Sequence, residues 1–275
     1  PPAKVLGYEL GARFTSHAKI EQYIQAVGAA AADRVKLFPY GATYEGRTLY
    51  LVVISDPDNM KRLDEIRANI HALADPRKTS DGDAKKIIQS TPPIGWLSYG
   101  VHGNEASSAE AAMNVIYQHA ARTDPEISTL EKNLVIVIDP LLNPDGHERY
   151  VNFQNSRRGI SPVEDRLAAE HNEDWPSGRT NHYLFDLNRD WAWLTQAESR
   201  ARIKAYLTWK PQVHVDYHEM GYNSSYFFFP AFKPINKNLP AKTLEWAQTY
   251  GKANAAAFDA KGWNYWTNEQ FDLFY

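Results

Sequence analysis

The chain contains no cysteine. A disulfide framework, a thiolate metal site and a cysteine nucleophile are therefore all excluded, and any metal must be held by His, Asp or Glu. No apolar run approaches membrane-spanning length, and the opening Pro1-Pro2-Ala3-Lys4 carries no signal-peptide pattern. A first residue other than Met suggests that something upstream was removed. Charge asymmetry is also lacking: 30 Lys and Arg against 33 Asp and Glu leave a formal net charge of -3. That is no footprint for nucleic acid or an anionic membrane, and neither partner is expected. What remains is 275 residues with 43% hydrophobic content, enough for a sizeable core, and no linker, repeat or low-complexity stretch.

Periodicity outlines alternating elements. Ile20, Tyr23, Ile24, Val27 and Ala31 recur at helical spacing between Ser16 and Arg34. Val35 to Tyr40 reads as an edge strand, and Leu49 to Ile54 as a buried strand ended by Asp56-Pro57-Asp58-Asn59. A charged helix is expected from Asn59 to Leu73, followed by a polar surface crossing from Asp75 to Ser90. Ile94 to Tyr99 and Asn133 to Ile138 are further apolar runs suited to a parallel or mixed sheet. Between Gly146 and Asp186, charge, Gly and Pro without a sustained period predict a long loop with one helical turn near Glu164 to Glu170. A helix from Gln196 to Leu207, an alternating strand through Val213 to Tyr217, a strand from Ser225 to Phe229 and a helix from Ala241 to Ala260 complete the pattern.

Chemistry concentrates where strands end. His102 and Glu105 follow the run from Ile94, just before Ala109, Ala112, Met113, Ile116 and Tyr117 establish a helical face. A His-x-x-Glu pair alone is a weak pattern, and a catalytic zinc needs a third protein ligand and an open position for water. His218 lies just beyond another strand, with His214 as the competing histidine nearby. Two imidazoles and a carboxylate form a catalytic zinc set, and zinc acidifies water and polarises a carbonyl as amide hydrolysis at neutral pH requires.

The pieces His102-Gly-Asn-Glu105, Asn143-Pro-Asp-Gly146, Asp186-Leu-Asn188-Arg189-Asp-Trp191 and Asp216-Tyr-His218 stand in an order that resembles the zinc metallocarboxypeptidases of the carboxypeptidase A and B type. Glu45-Gly46-Arg47 before a strand is similar to that family's amino-terminal region. The resemblance implies a single α/β domain with a mixed, mostly parallel central sheet and helices on both faces. It also implies one Zn2+ per chain held by His102, Glu105 and His218, and hydrolysis of carboxy-terminal residues from peptides through a zinc-activated water. Asn188 and Arg189 would bind the free terminal carboxylate of the peptide, for which a guanidinium fork is well shaped. Asp186 would orient the first histidine. Arg157, favoured over Arg158, would steady the oxyanion.

The resemblance departs at the carboxyl end, because no glutamate in a family-like context follows His218 to serve as general base; Glu219, Glu245 and Glu269 are not assigned. The expectation is a catalytic domain over 1–275 that lacks its C-terminal part, with the base beyond Tyr275. A secreted, extracellular or periplasmic setting is expected from the habit of the family. The same zinc site would also suit a cell-wall peptide hydrolase or an amino-acid deacylase, and the missing base leaves room for a noncatalytic binding module.

Overall fold

The computed structural model describes residues 1–161, 163–221, 224, 226–231 and 233–268. They form two compact units, Pro1–Glu219 and the residues from Met220 onward.

The first unit runs α1 (Pro2–Leu6), α2 (His17–Ala30), β1 (Val35–Ala42), β2 (Thr48–Ile54), α3 (Pro57–Lys61), α4 (Leu63–Leu73), α5 (Asp81–Ser90), β3 (Ile94–Tyr99), α6 (Ser107–Ala121), α7 (Pro125–Asn133), β4 (Val135–Asp139), α8 (Pro144–Arg157), α9 (Ala197–Trp209) and β5 (Val213–Tyr217). The sheet order is β1-β2-β4-β3-β5. β1 with β2 and β2 with β4 are antiparallel, whereas β3 pairs in parallel with both β4 and β5. The mixed sheet is as expected, but it is parallel in only two of its four pairings, those among β4, β3 and β5.

Alternation along the strands explains why these runs are apolar throughout. Val52, Ile54, Ile136 and Ile138 face α2 and α6, packing with Ile20, Tyr23, Ile24, Met113 and Ile116. Leu51, Val53, Trp96, Val135 and Val137 face the other way, onto Leu63, Ile66 and Ile70 of α4 and Trp209 of α9. Both faces are covered, so both sets must be apolar.

Two helices replace expected irregular segments. α5 fully buries none of its residues, and its apolar side is only Ala84, Ile87 and Ile88; its start is set by Ser80, whose hydroxyl accepts from Asp83 N at 3.2 Å. α8 fills the start of the expected long loop. Asn143 accepts from Gly146 N at 3.0 Å and Pro144 occupies the first turn, a helix start despite the glycine at its third position. The short 3-10 turn Ala169–His171 overlaps the one helical turn expected there.

In the second unit β6 (Tyr226–Phe227) pairs in parallel with β7 (Tyr265–Trp266), and α10 (Ala241–Asp259) lies between them in sequence. Phe228, Phe258 and Tyr265 cluster there, with centroid separations of 4.9 to 5.9 Å. No helix among the described residues is long and apolar enough to cross a membrane.

Candidate metal centre

β3 and β5 run in parallel register to their last residues, where Tyr99 opposes Tyr217 and the two rings stack at 4.4 Å, 2° from parallel. The chain therefore leaves the sheet at two adjacent points on one edge. From the first, Gly100 turns in the left-handed region (φ 65°) and leads to His102, which is 3% exposed. From the second, His218 follows Tyr217 directly.

Three backbone segments are drawn together around this edge by glycines. A Cβ on Gly103 would lie 2.1 Å from His147 N and 2.6 Å from Gly178 O, and one on Gly178 would lie 2.5 Å from Gly146 O. Only residues without a side chain allow so close an approach. Arg149 of α8 fastens the third segment by donating to Ser177 O at 2.7 Å and Asn181 O at 3.1 Å. Glu173 accepts from Asn104 at 2.9 Å and from Gly178 N.

His102, Glu105 and His218 converge. One ligand-type atom from each lies within 4.8 Å of the others. His102 Nδ1 is 2.7 Å from Glu105 Oε1, and His218 Nδ1 is 3.1 Å from Glu105 Oε2. The outer nitrogens are tied in the same way: His102 Nε2 lies 3.1 Å from Asp186 Oδ1, and His218 Nε2 lies 3.1 Å from Asp216 Oδ2. A carboxylate on the far nitrogen fixes ring orientation and raises the basicity of the near one, an arrangement typical of metal-binding histidines. Two imidazoles and a carboxylate with such support fit zinc.

The charges respond to this crowding. Burial pushes the Glu105 carboxyl up, but hydrogen bonds from His102 and His218 outweigh it and hold the group at about 2. Asp216 and Glu105 raise His218 to about 10. Burial also pushes Asp186 up, yet His102, the Asn188 N–H and Arg179 bring it below the ordinary aspartate range. Asp186 caps the 3-10 turn Leu187–Arg189 by accepting from Asn188 N at 2.8 Å. Its second oxygen accepts from Arg179 Nη2 at 3.0 Å and Nε at 3.2 Å.

Asn188 reaches the cluster, with Nδ2 3.5 Å from His218 Nε2. Arg189 is exposed beside it and donates to Asn188 O at 3.2 Å. His214 points elsewhere: its Nε2 is 3.0 Å from Ser98 Oγ, and its ring lies among Trp191 and Tyr206, which leaves His218 as the histidine at the cluster.

The structure corrects one expected residue. Arg157 ends α8 half-exposed and pairs with Asp174 at 2.6 Å, while Arg158 donates to Ala12 O at 3.2 Å. The guanidinium at the cluster belongs instead to Arg179, 3.4 Å from His102 Nδ1 and 3.9 Å from Glu105 Oε1. The glycine junction explains the difference, since it carries Gly178, and hence Arg179, onto the His102–Glu105 turn. The available signal was a Gly-Arg pair seven residues ahead of Asp186.

Of the unassigned glutamates, Glu219 turns its carboxylate to Ser107, accepting from Ser107 N at 2.6 Å, and offers its own N–H to Glu105 at 3.1 Å. Glu245 pairs with Lys242 on α10. Glu269 lies outside the described residues.

A second group, Glu45, Asp145 and His182, also brings ligand-type atoms within 4.8 Å of one another. Its two carboxylates are bridged by Arg47, which donates to Glu45 and to Asp145 at 2.6 Å each.

The zinc carboxypeptidase family profile matches residues 20–219. The chain belongs to the zinc carboxypeptidase family. Human Carboxypeptidase D is 28% identical over 159 residues, which span 56% of this chain and 8% of that protein. Among solved structures, Carboxypeptidase A from Helicoverpa armigera aligns over 100% of this chain and 64% of its own, with a TM-score of 0.59 and 14% identity. A metallo-carboxypeptidase from Burkholderia cenocepacia aligns over 93% of this chain and 54% of its own, with a TM-score of 0.56 and 16% identity. The chain thus spans about half to two thirds of the solved relatives and a small part of the curated one.

Proposed function

We propose that the chain carries the zinc site of a metallocarboxypeptidase that removes residues from the carboxyl ends of peptides. The observation behind this reading is the convergence of His102, Glu105 and His218, each histidine backed by an aspartate, with Arg179 beside them. His102, Glu105 and His218 would hold one zinc ion per chain. Zinc supplies Lewis-acid polarisation of a carbonyl and a more acidic water.

Three further groups of the chain take part, and none of them is the base that receives the water's proton. Arg179 lies beside Glu105 with its guanidinium braced by Asp186, so it is aimed before substrate arrives. Such a preset donor stabilises the oxyanion that develops on the scissile carbonyl. Asn188 and Arg189 sit on the next turn, and the exposed Arg189 offers a fork to a free α-carboxylate. Selection of the terminal residue follows from that clamp. The reading includes an extracellular or periplasmic setting.

The deciding experiment compares one peptide with a free and with an amidated carboxyl terminus, in zinc-loaded and chelator-treated protein. Zinc-dependent release of the last residue from the free peptide alone is the expected result. Equal cleavage of both peptides would exclude the exopeptidase reading.

A further inference from the structure

Across the carboxyl ends of the parallel strands stands a row of polar groups, of which the candidate metal centre uses only Asp216. Asp139 opposes Ser98 in the β4–β3 register, and Ser98 opposes Asp216 in the β3–β5 register, so the three stand side by side across the carboxyl ends of the parallel strands. Asp139 Oδ2 accepts from Tyr40 at 2.7 Å, and Asp216 Oδ2 faces His218 Nε2 at 3.1 Å. The second oxygen of each, Asp139 Oδ1 and Asp216 Oδ1, is buried without a hydrogen bond.

Arg202 of α9 covers this face and is 1% exposed. Its guanidinium lies 3.8 Å from the centre of the Trp191 ring, and one amino group donates to Leu187 O at 3.1 Å. Nε and Nη1 are buried and make no hydrogen bond. Burial depresses the guanidinium, and Tyr40, Asp139, Asp216 and Asp190 oppose that effect. Burial also raises Asp139 to about 7, which leaves more of the compensating role to the others near neutral pH.

A buried guanidinium is costly, and an apolar side chain of similar volume would fill the same space at lower cost. What an apolar residue could not do is act on both histidine supports. Through Leu187 O, Arg202 holds the turn on which Asp186 backs His102. Its charge also acts on Asp216, which backs His218, without a direct ion pair. We propose that Arg202 is a positioning residue of the metal centre, setting the two aspartates that orient His102 and His218. This rests on the reading of His102, Glu105 and His218 as a zinc site.

The test is zinc affinity, measured by chelator competition on the wild type, R202M, R202K, D216N and R202M/D216N, beside the melting temperature of each metal-free protein. Loss of an outer partner of a metal-bound histidine costs roughly 10- to 100-fold in affinity. R202M is expected to lose zinc affinity in that range, with R202K weakened less because it keeps the charge without the fork. The double variant should lose less affinity than the product of the two single losses, since Arg202 acts in part through Asp216 and in part through the Leu187 turn. A merely structural role would lower melting temperature without that coupling.

Folded R202M with wild-type affinity would overturn the proposal, as would losses that multiply in the double variant. If R202M does not fold, R202K decides: a measurable loss of affinity supports the proposal, and wild-type affinity sinks it. Failure of the wild type itself to bind zinc would instead remove the underlying site reading.

Discussion

Among the described residues of the first unit, two groups of one or two histidines with carboxylates bring three ligand-type atoms within 4.8 Å. Around Asp145 the space between the carboxylates is taken by Arg47, with Thr43 and the Glu45 N–H also directed at Asp145. The charge is already answered. Around Glu105 the supporting groups instead approach from outside, on the far nitrogens of His102 and His218, and the near nitrogens face inward. Spacing alone does not separate the two groups. What separates them is where the arginine stands: Arg47 bridges Glu45 and Asp145 at 2.6 Å each, whereas Arg179 stays 3.9 Å from Glu105 and bonds outward to Asp186.

The largest effect should come from breaking the first group and leaving the second. H102A and H218A are each expected to abolish stoichiometric zinc in elemental analysis, whereas H182A should retain the wild-type content. Zinc lost from H182A and kept in H102A would reverse the comparison.

The arginines give the next contrast. R179A should lower kcat by about 10²- to 10³-fold, the usual cost of removing a preset oxyanion donor. R157A, with its exposed partner, should stay within about 0.5 kcal/mol of wild-type stability and keep its rate. Steady-state kinetics on a free-carboxylate peptide would distinguish them, and equal losses would undo the assignment of Arg179.

R47M should destabilise by about 1–3 kcal/mol, because it leaves the buried Asp145 carboxylate short of a partner. Its zinc content should not change. Denaturant unfolding would measure the first quantity, and zinc lost along with stability would mean the second group does hold the metal.

The smallest effect is a slope. Burial raises Asp139 from 3.8 to about 7 in the folded protein. The folded state therefore keeps a proton that the unfolded state has released in that window, and the stabilising contribution fades as pH rises through about 7. D139N removes this dependence. The wild type should lose stability relative to D139N between about pH 4 and 7, and parallel stability curves would show that Asp139 titrates normally.

How much of this was legible in sequence depended on the kind of force involved. Strands such as Leu49 to Ile54 and Asn133 to Ile138 declare themselves because both faces meet helices, so every position is apolar. His102 and Glu105 were legible because a change of period marked the turn between β3 and α6. α5 and α8 were not, since their starts rest on single caps, Ser80 and Asn143, and the apolar side of α5 is only three residues among charges. Arg179 was hidden for a different reason. It reaches the cluster through contacts among Gly103, Gly146 and Gly178, residues 103 and 178 being far apart in the chain, and no local pattern reports such a meeting.

That meeting of glycines has a practical consequence. It offers a way to separate occupancy from turnover: a methyl group at Gly178 would meet Gly146 O at 2.5 Å and the Tyr150 side chain at 2.7 Å, and the expected relief is a shift of the segment that carries Arg179, with His102, Glu105 and His218 left in place. G178A is therefore the natural starting point for a loaded but idle form of the protein, one that would retain a bound peptide long enough to reveal which peptides it selects.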